Sequence, residues 1–231
     1  MKLVIFVLVL AVALSFAGEI TPFGGTAGTS TWTGTDAETV YWTAPPTGSA
    51  MGSQNITDDP AYDAGVADDV QFAVATSVNK IRWWGGYWNG TAAPHDSPVE
   101  IYLYLDDGTG NAPTLPQHSS AIQSWMINPG DYTEVADGSN YMCEFVFSPW
   151  VDFDAGQKYW FEVRKAMPFS PMGQYGWIQS EPVQLSPCVQ GFDGLGIVWW
   201  TAGTTDAAFE LVFDDALALE RSTWAGIKAN F

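Results

Sequence analysis

Histidine, cysteine and positive charge are all scarce in this chain. Two histidines, two cysteines and eight lysines and arginines stand against 26 aspartates and glutamates in 231 residues. The formal net charge of −18 leaves no basic patch to neutralise phosphates, which argues against nucleic acid and anionic membranes as partners. No HExxH, GxSxG, P-loop or CxxC motif occurs, so the common zinc, serine, nucleotide and dithiol chemistries lack their usual parts. His95 and His118 both fall in Pro-rich loops and read as solvated loop residues. Past the first residues there is no apolar run of the ~20 residues that a transmembrane helix needs, so no membrane span is expected.

The one continuous apolar run, Leu3 to Leu14, follows Lys2 and precedes Ser15-Phe16-Ala17. A single basic residue, a short apolar stretch and a small-x-small site make a secretory signal peptide over residues 1–17. The exported part then has the length of a single all-β domain, for which roughly 200 residues is ordinary. Cys143 and Cys188 both lie in that exported part, and in an oxidising compartment such a pair is expected to form one structural disulfide.

Strand periodicity dominates the exported part. "PVEIYLYLDDG" alternates Val99, Ile101, Leu103 and Leu105 against Glu100, Tyr102 and Tyr104, and "DVQFAVA", "CEFVF", "KYWFEVRK" and "AFELVFDD" show the same period of two. Helical spacing occurs once, in the tail "STWAGIKANF". These features predict an all-β, antiparallel β-sandwich of jelly-roll-like form with a short C-terminal helix or tail. The expected layout is an N-terminal strand and long loop packed on the sandwich (18–66), the sandwich core (67–215) and the tail (216–231). The Gly/Pro/Ser/Asp stretch "TAPPTGSAMGSQNITDDPAYDAG" is the long loop, and a place where function could sit.

Aromatic rings and carboxylates are the chemistry available. Alternation puts Glu100 with Tyr102 and Tyr104, and Glu162 with Trp160 and Arg164, each set on one face of its strand. Neighbouring strands of this kind would join rings, which stack on sugar CH groups, to carboxylates, which accept hydroxyl hydrogen bonds. In "RWWGGYWNG", Trp83 keeps phase with Ile81 and is expected in the core, while Trp84 and Trp88 are the candidates for ligand contact. Gly85 and Gly86 are expected to permit a bulge or a left-handed bend. The candidate binding platform is therefore Trp84, Trp88, Tyr102, Tyr104 and Trp160. Glu144 and Glu162 are the candidate acid and base, since two carboxyls about 5 to 10 Å apart are what glycosidic hydrolysis requires. Asp68, Asp69, Asp106 and Asp107 offer oxygen ligands for one structural calcium, the only cofactor in view, although Asp-Gly is also ordinary hairpin chemistry.

The succession "VADDVQFAVATSVNKIRWWGGYWNG", "VEIYLYLDDGTGNAP", "KYWFEV" and "DAAFELVF" resembles a recurrent module of secreted bacterial proteins that carries Ala-Asp-Asp-Phe, Trp-Trp-Gly-Gly-Tyr, Asp-Asp-Gly and Ala-Phe-x-Leu motifs. Val70 stands where that module usually has Phe. The resemblance covers most of Asp68 to Phe213 and implies an extracellular β-sandwich of surface attachment or carbohydrate association, with no catalytic residues. The expectation is a secreted, non-enzymatic cell-surface, envelope or matrix protein with polysaccharide or other surface proteins as partners. The alternatives are a carbohydrate-binding module and, third, a glycoside hydrolase.

Overall fold

A computed structural model describes residues 38–90, 95–192 and 200–214. The expected leader, the lead-in before residue 38, Trp199 and the tail 216–231 lie outside those residues. Strands are the dominant regular structure of the described chain and form two sheets packed face to face, an all-β sandwich as predicted. No helix among the described residues is long and apolar enough to cross a membrane.

The first sheet is organised on β5 (Thr76–Trp88), the central strand. One edge of β5 takes β9 (Asn140–Phe153), with β8 (Thr133–Asp137) beyond it. The other edge is shared: β15 (Phe209–Asp214) pairs with its first half and β11 (Gln174–Ser180) with its second. β1 (Glu38–Ala44) lies outside β15, while β2 (Pro46–Gly52) and β14 (Asp206–Ala207) pair with β11.

The second sheet runs β13 (Thr201–Ala202), β12 (Val189–Gly191), β4 (Gly65–Gln71), β10 (Lys158–Met167), β6 (Val99–Leu105) and β7 (Gln123–Ile127). β3 (Gln54–Ile56) adds to the end of β10 in parallel. The inward phases read from the sequence meet between the sheets: Ile101 and Leu103 from β6, Phe161 and Val163 from β10, Ile81 and Trp83 from β5, with Phe147, Trp177 and Phe209. Each such large apolar side chain contributes on the order of 2 to 3 kcal/mol by leaving water.

Three sequence expectations are corrected. The stretch 43–65 is not one loop, because Pro46–Gly52 joins the first sheet and Gln54–Ile56 the second. Ser53 is the crossing point: its hydroxyl donates to Val163 O at 2.5 Å and accepts from Val66 N at 3.0 Å, so even the crossing has its polar groups paired. Secondly, β5 passes through Gly85 and Gly86 without a bend. Gly85 is small because Tyr175 lies over it, and a Cβ there would sit 2.1 Å from the Tyr175 hydroxyl.

The third correction concerns the disulfide expected between Cys143 and Cys188, which is not formed; both are free, buried thiols. Cys143 is held in register between Trp83 and Glu134, in the first sheet. Cys188 precedes β12 on the second sheet, with its sulfur 3.8 Å from Met51 Sδ. Burial pushes both thiols up, away from the reactive thiolate. A thiol reagent is therefore expected to titrate no cysteine in the native protein and two after denaturation, with a reductant leaving Tm unchanged; a drop in Tm on reduction would show a bridge instead.

Candidate functional site

β6 and β10 are neighbours, and their register sets Glu100 beside Arg164, Tyr102 beside Glu162 and Tyr104 beside Trp160 on the outer face of the second sheet. Glutamates and rings thus do share one face, but the segment 106–122 folds back over it. Tyr104 donates to Glu162 Oε2 at 2.6 Å, Gln117 Nε2 donates to Glu162 Oε1 at 3.0 Å, and His118 Nε2 lies 3.0 Å from the same oxygen. The hydroxyl of Tyr104 accepts the His118 amide, and Trp160 Nε1 donates to Asp106 Oδ2 at 3.0 Å. Burial, with the neighbouring Glu162 carboxylate, drives the Tyr104 phenol far up, and Tyr102 is pushed up to about 12 by burial and Glu100.

His118 is accordingly not a solvated loop residue. It takes a left-handed backbone with φ of 60°, its ring lies 4.5 Å from that of Tyr102, and it closes on a carboxylate that is 0% exposed. His95 is exposed, as expected, with its ring 4.8 Å from Tyr141 and its Nδ1 3.4 Å from Glu134.

The five rings expected as a platform do not lie open as one plane. Trp84, Trp88, Tyr104 and Trp160 are buried, Tyr102 is half-buried, and they belong to different sheets. Trp84 and Trp88 sit on the outer face of the first sheet with Ala50, Met142, Ile178 and Ala208, and Trp84 Nε1 donates to Asp137 at 2.7 Å.

The two glutamates expected as acid and base are also separated, Glu144 on the first sheet and Glu162 on the second. Glu144 belongs to an ion-pair network in which Arg82 reaches Glu144 at 2.7 Å, Glu38 at 2.5 Å and Glu210 at 3.4 Å. Lys80 reaches Glu38 at 2.6 Å and Asp214 at 2.9 Å. Burial alone would raise the Glu38 carboxyl, but its bonds to Arg82 and Lys80 outweigh that and hold it low.

The acidic clusters are occupied as well. Asp106 caps its own turn through Gly108 N and Gly110 N, and Asp107 does so through Thr109. Asp69 Oδ2 takes the Lys158 ammonium at 2.6 Å, and Asp68 Oδ2 accepts the Ala207 amide at 2.7 Å from the opposite sheet. Among the described residues no three His, Cys, Asp or Glu side chains are arranged to hold a metal ion.

A cavity of about 380 Å³ among the described residues opens near the point where the chain crosses between sheets. Its lining includes Ile56, Tyr62, Trp88, Phe169 and Phe192, with Asp58, Asp59, Gln174 and Gln190 among them. The 3-10 turn Pro60–Tyr62 brings Tyr62, the loop after β10 brings Phe169, and both rings are 45% exposed. Asp58 ties those segments together by accepting Phe169 N at 2.7 Å and Ser170 N at 3.2 Å, and these amides hold its carboxyl below the usual range.

Trp88 Nε1 donates to Gln174 Oε1 at 2.8 Å, and its ring packs over Gly176, where a Cβ would fall 2.5 Å from Trp88 Cη2. Of the five rings singled out from sequence, Trp88 alone lines this cavity, while Ile56, Asp58, Asp59 and Tyr62 come from the Gly/Pro/Ser/Asp stretch named as a place where function could sit. The lining as a whole comes from segments separated by up to 140 residues, and the only local signal was the Asp- and Pro-rich stretch around Tyr62. No family model and no curated protein matches this chain.

Proposed function

We propose that the protein is an exported, non-enzymatic β-sandwich that works outside the cell, at the surface or in the matrix, by holding a ligand in the cavity lined by Tyr62, Trp88 and Phe169. The observation that carries this reading is the pairing of two half-exposed rings with a few fixed polar groups around one concavity, the ordinary composition of a binding pocket. The carboxylates that could serve an acid–base mechanism support it from the other side. Glu144 is paired with Arg82, Glu162 is covered by Tyr104, Gln117 and His118, and the two lie on separate sheets, so neither has the other across a cleft.

Titrating a mixed panel of small molecules into isotope-labelled protein tests the reading. A binding compound is expected to shift the Trp88 indole N–H and the Gln174 and Gln190 side-chain amides before other signals. A panel in which nothing moves those signals, or in which shifts cluster elsewhere, would remove the cavity as the site.

A further inference from the structure

We infer that the ligand of this cavity is a neutral, polyhydroxylated ring with apolar faces, a pyranose sugar; the inference rests on the cavity being the binding site. Three features of the lining select that class. The first is charge: the lining contains Asp58 and Asp59 and neither lysine nor arginine, on a chain of net charge −18, so an anion meets only repulsion.

The second is the hydrogen-bonding complement left by the two amides. Gln174 spends its oxygen on Trp88 Nε1 and on Asn89 Nδ2, both at 2.8 Å, which leaves the nitrogen as its donor. Gln190 spends its nitrogen on Gly52 O at 2.8 Å, which leaves the oxygen as its acceptor. A hydroxyl is donor and acceptor at once and satisfies either group, whereas a purely apolar ligand would strip water from both and replace nothing.

The third is the pair of rings. Tyr62 and Phe169, both at 45% exposure, offer π-faces to CH groups, and Ile56 and Phe192 add apolar wall beside them. Binding pockets run from roughly 300 to 1,000 Å³. At about 380 Å³ the cavity is sized for one or two sugar rings rather than a long chain. The sugar could be free in solution or the terminal unit of a polysaccharide, and both present the same face.

Calorimetric titration with neutral hexoses and N-acetylhexosamines, alongside pull-down on insoluble polysaccharides, tests the inference. An anionic naphthalene dye and a quaternary amine serve as the apolar and cationic controls. At least one sugar is expected to bind, and Phe169→Ala, at a half-exposed rim position, should weaken it about tenfold while Tm holds. Tyr62→Ala on the facing segment should do the same, and serves if Phe169→Ala lowers Tm. Binding to sugars in solution but not to polysaccharide identifies a free sugar, and the reverse identifies a chain terminus. Dye or amine binding at the Trp88 signal with no sugar binding overturns the sugar class and leaves the cavity as a binding site. Sugar binding that ignores both variants overturns the location, and no binding by any probe overturns both.

Discussion

Replacing Lys165 by methionine is expected to cost about 3 to 5 kcal/mol of folding stability, the range for removing one partner of a buried ion pair. Lys165 occupies the inward phase of β10, two residues after the core residue Val163, and is 0% exposed. Its ammonium bonds Glu134 Oε2 at 2.6 Å and the Tyr87 hydroxyl, and lies 4.9, 5.5 and 5.6 Å from the ring centroids of Tyr87, Tyr132 and Tyr175. Glu134 also accepts from the Tyr87 hydroxyl at 2.5 Å and from Tyr132 at 3.4 Å. With the ammonium gone, the carboxylate keeps only the two tyrosine hydroxyls and His95 Nδ1 at 3.4 Å as partners in a low-dielectric interior, which leaves its charge poorly compensated.

Glu134→Gln is expected to be similarly costly, because it strands the ammonium among the tyrosines. The double variant Lys165→Met/Glu134→Gln should recover most of the loss, since neither charge is then left unpaired. Urea unfolding of the four proteins measures the cycle. A Lys165→Met variant within about 0.5 kcal/mol of the parent, as surface substitutions usually are, would show that the pair is not buried.

The same residue shows how far local pattern reaches. In "KYWFEVRK" the phase Tyr159, Phe161, Val163 is apolar and Lys165 continues it, so a charge on the core side of a strand was visible in the sequence. Its partner was not, because Glu134 reaches the interior only through the pairing of β8 with β9, a contact between distant segments. Strand phase likewise placed Trp83 in the core and joined Glu100, Tyr102 and Tyr104 on one face, since both follow from a period of two.

What lay beyond that period was the covering of the face. The return of Gln117 and His118 onto Glu162 is a tertiary contact made by a loop with no periodicity, and it turns an apparent platform into a second, smaller interior. The cavity was hidden for the same reason, since Tyr62, Trp88, Phe169 and Gln190 share no local pattern and converge only because β2 and β3 carry the chain from one sheet to the other.

Stability is expected to fall as pH rises from about 4 to 6, by roughly 1 to 3 kcal/mol at about 1.4 kcal/mol per pH unit, the lower end allowing for solvent screening. Burial raises the Asp206 carboxyl from 3.8 to about 6, against the pull of its bond from Gln184 N. The charged groups facing it are Asp69, which disfavours its ionisation, and Lys158, which favours it. Asp68, wholly buried, is raised well above its ordinary value by burial and by the neighbouring Asp206, and Asp69 is raised by burial, so both add to the contribution of Asp206 and carry the decline above pH 6.

Below about pH 4 the carboxyl is protonated in both folded and unfolded chains and contributes no slope. Between about 4 and 6 the unfolded chain releases a proton that the folded chain keeps, so the unfolded state gains and stability declines until the folded group also ionises. Glu38, whose carboxyl is held low, opposes this only at more acidic pH, where its ion pairs with Arg82 and Lys80 are lost. Asp206→Asn keeps an oxygen for the Gln184 amide and removes the titration. It is expected to flatten the decline and to leave the variant more stable than the parent at pH 7.5, while matching it near pH 4. Urea midpoints from pH 4 to 8 measure the effect. A parent curve that rises through this window, or a variant that runs parallel to it, would mean that Asp206 gives up its proton as readily in the folded protein as in the unfolded chain.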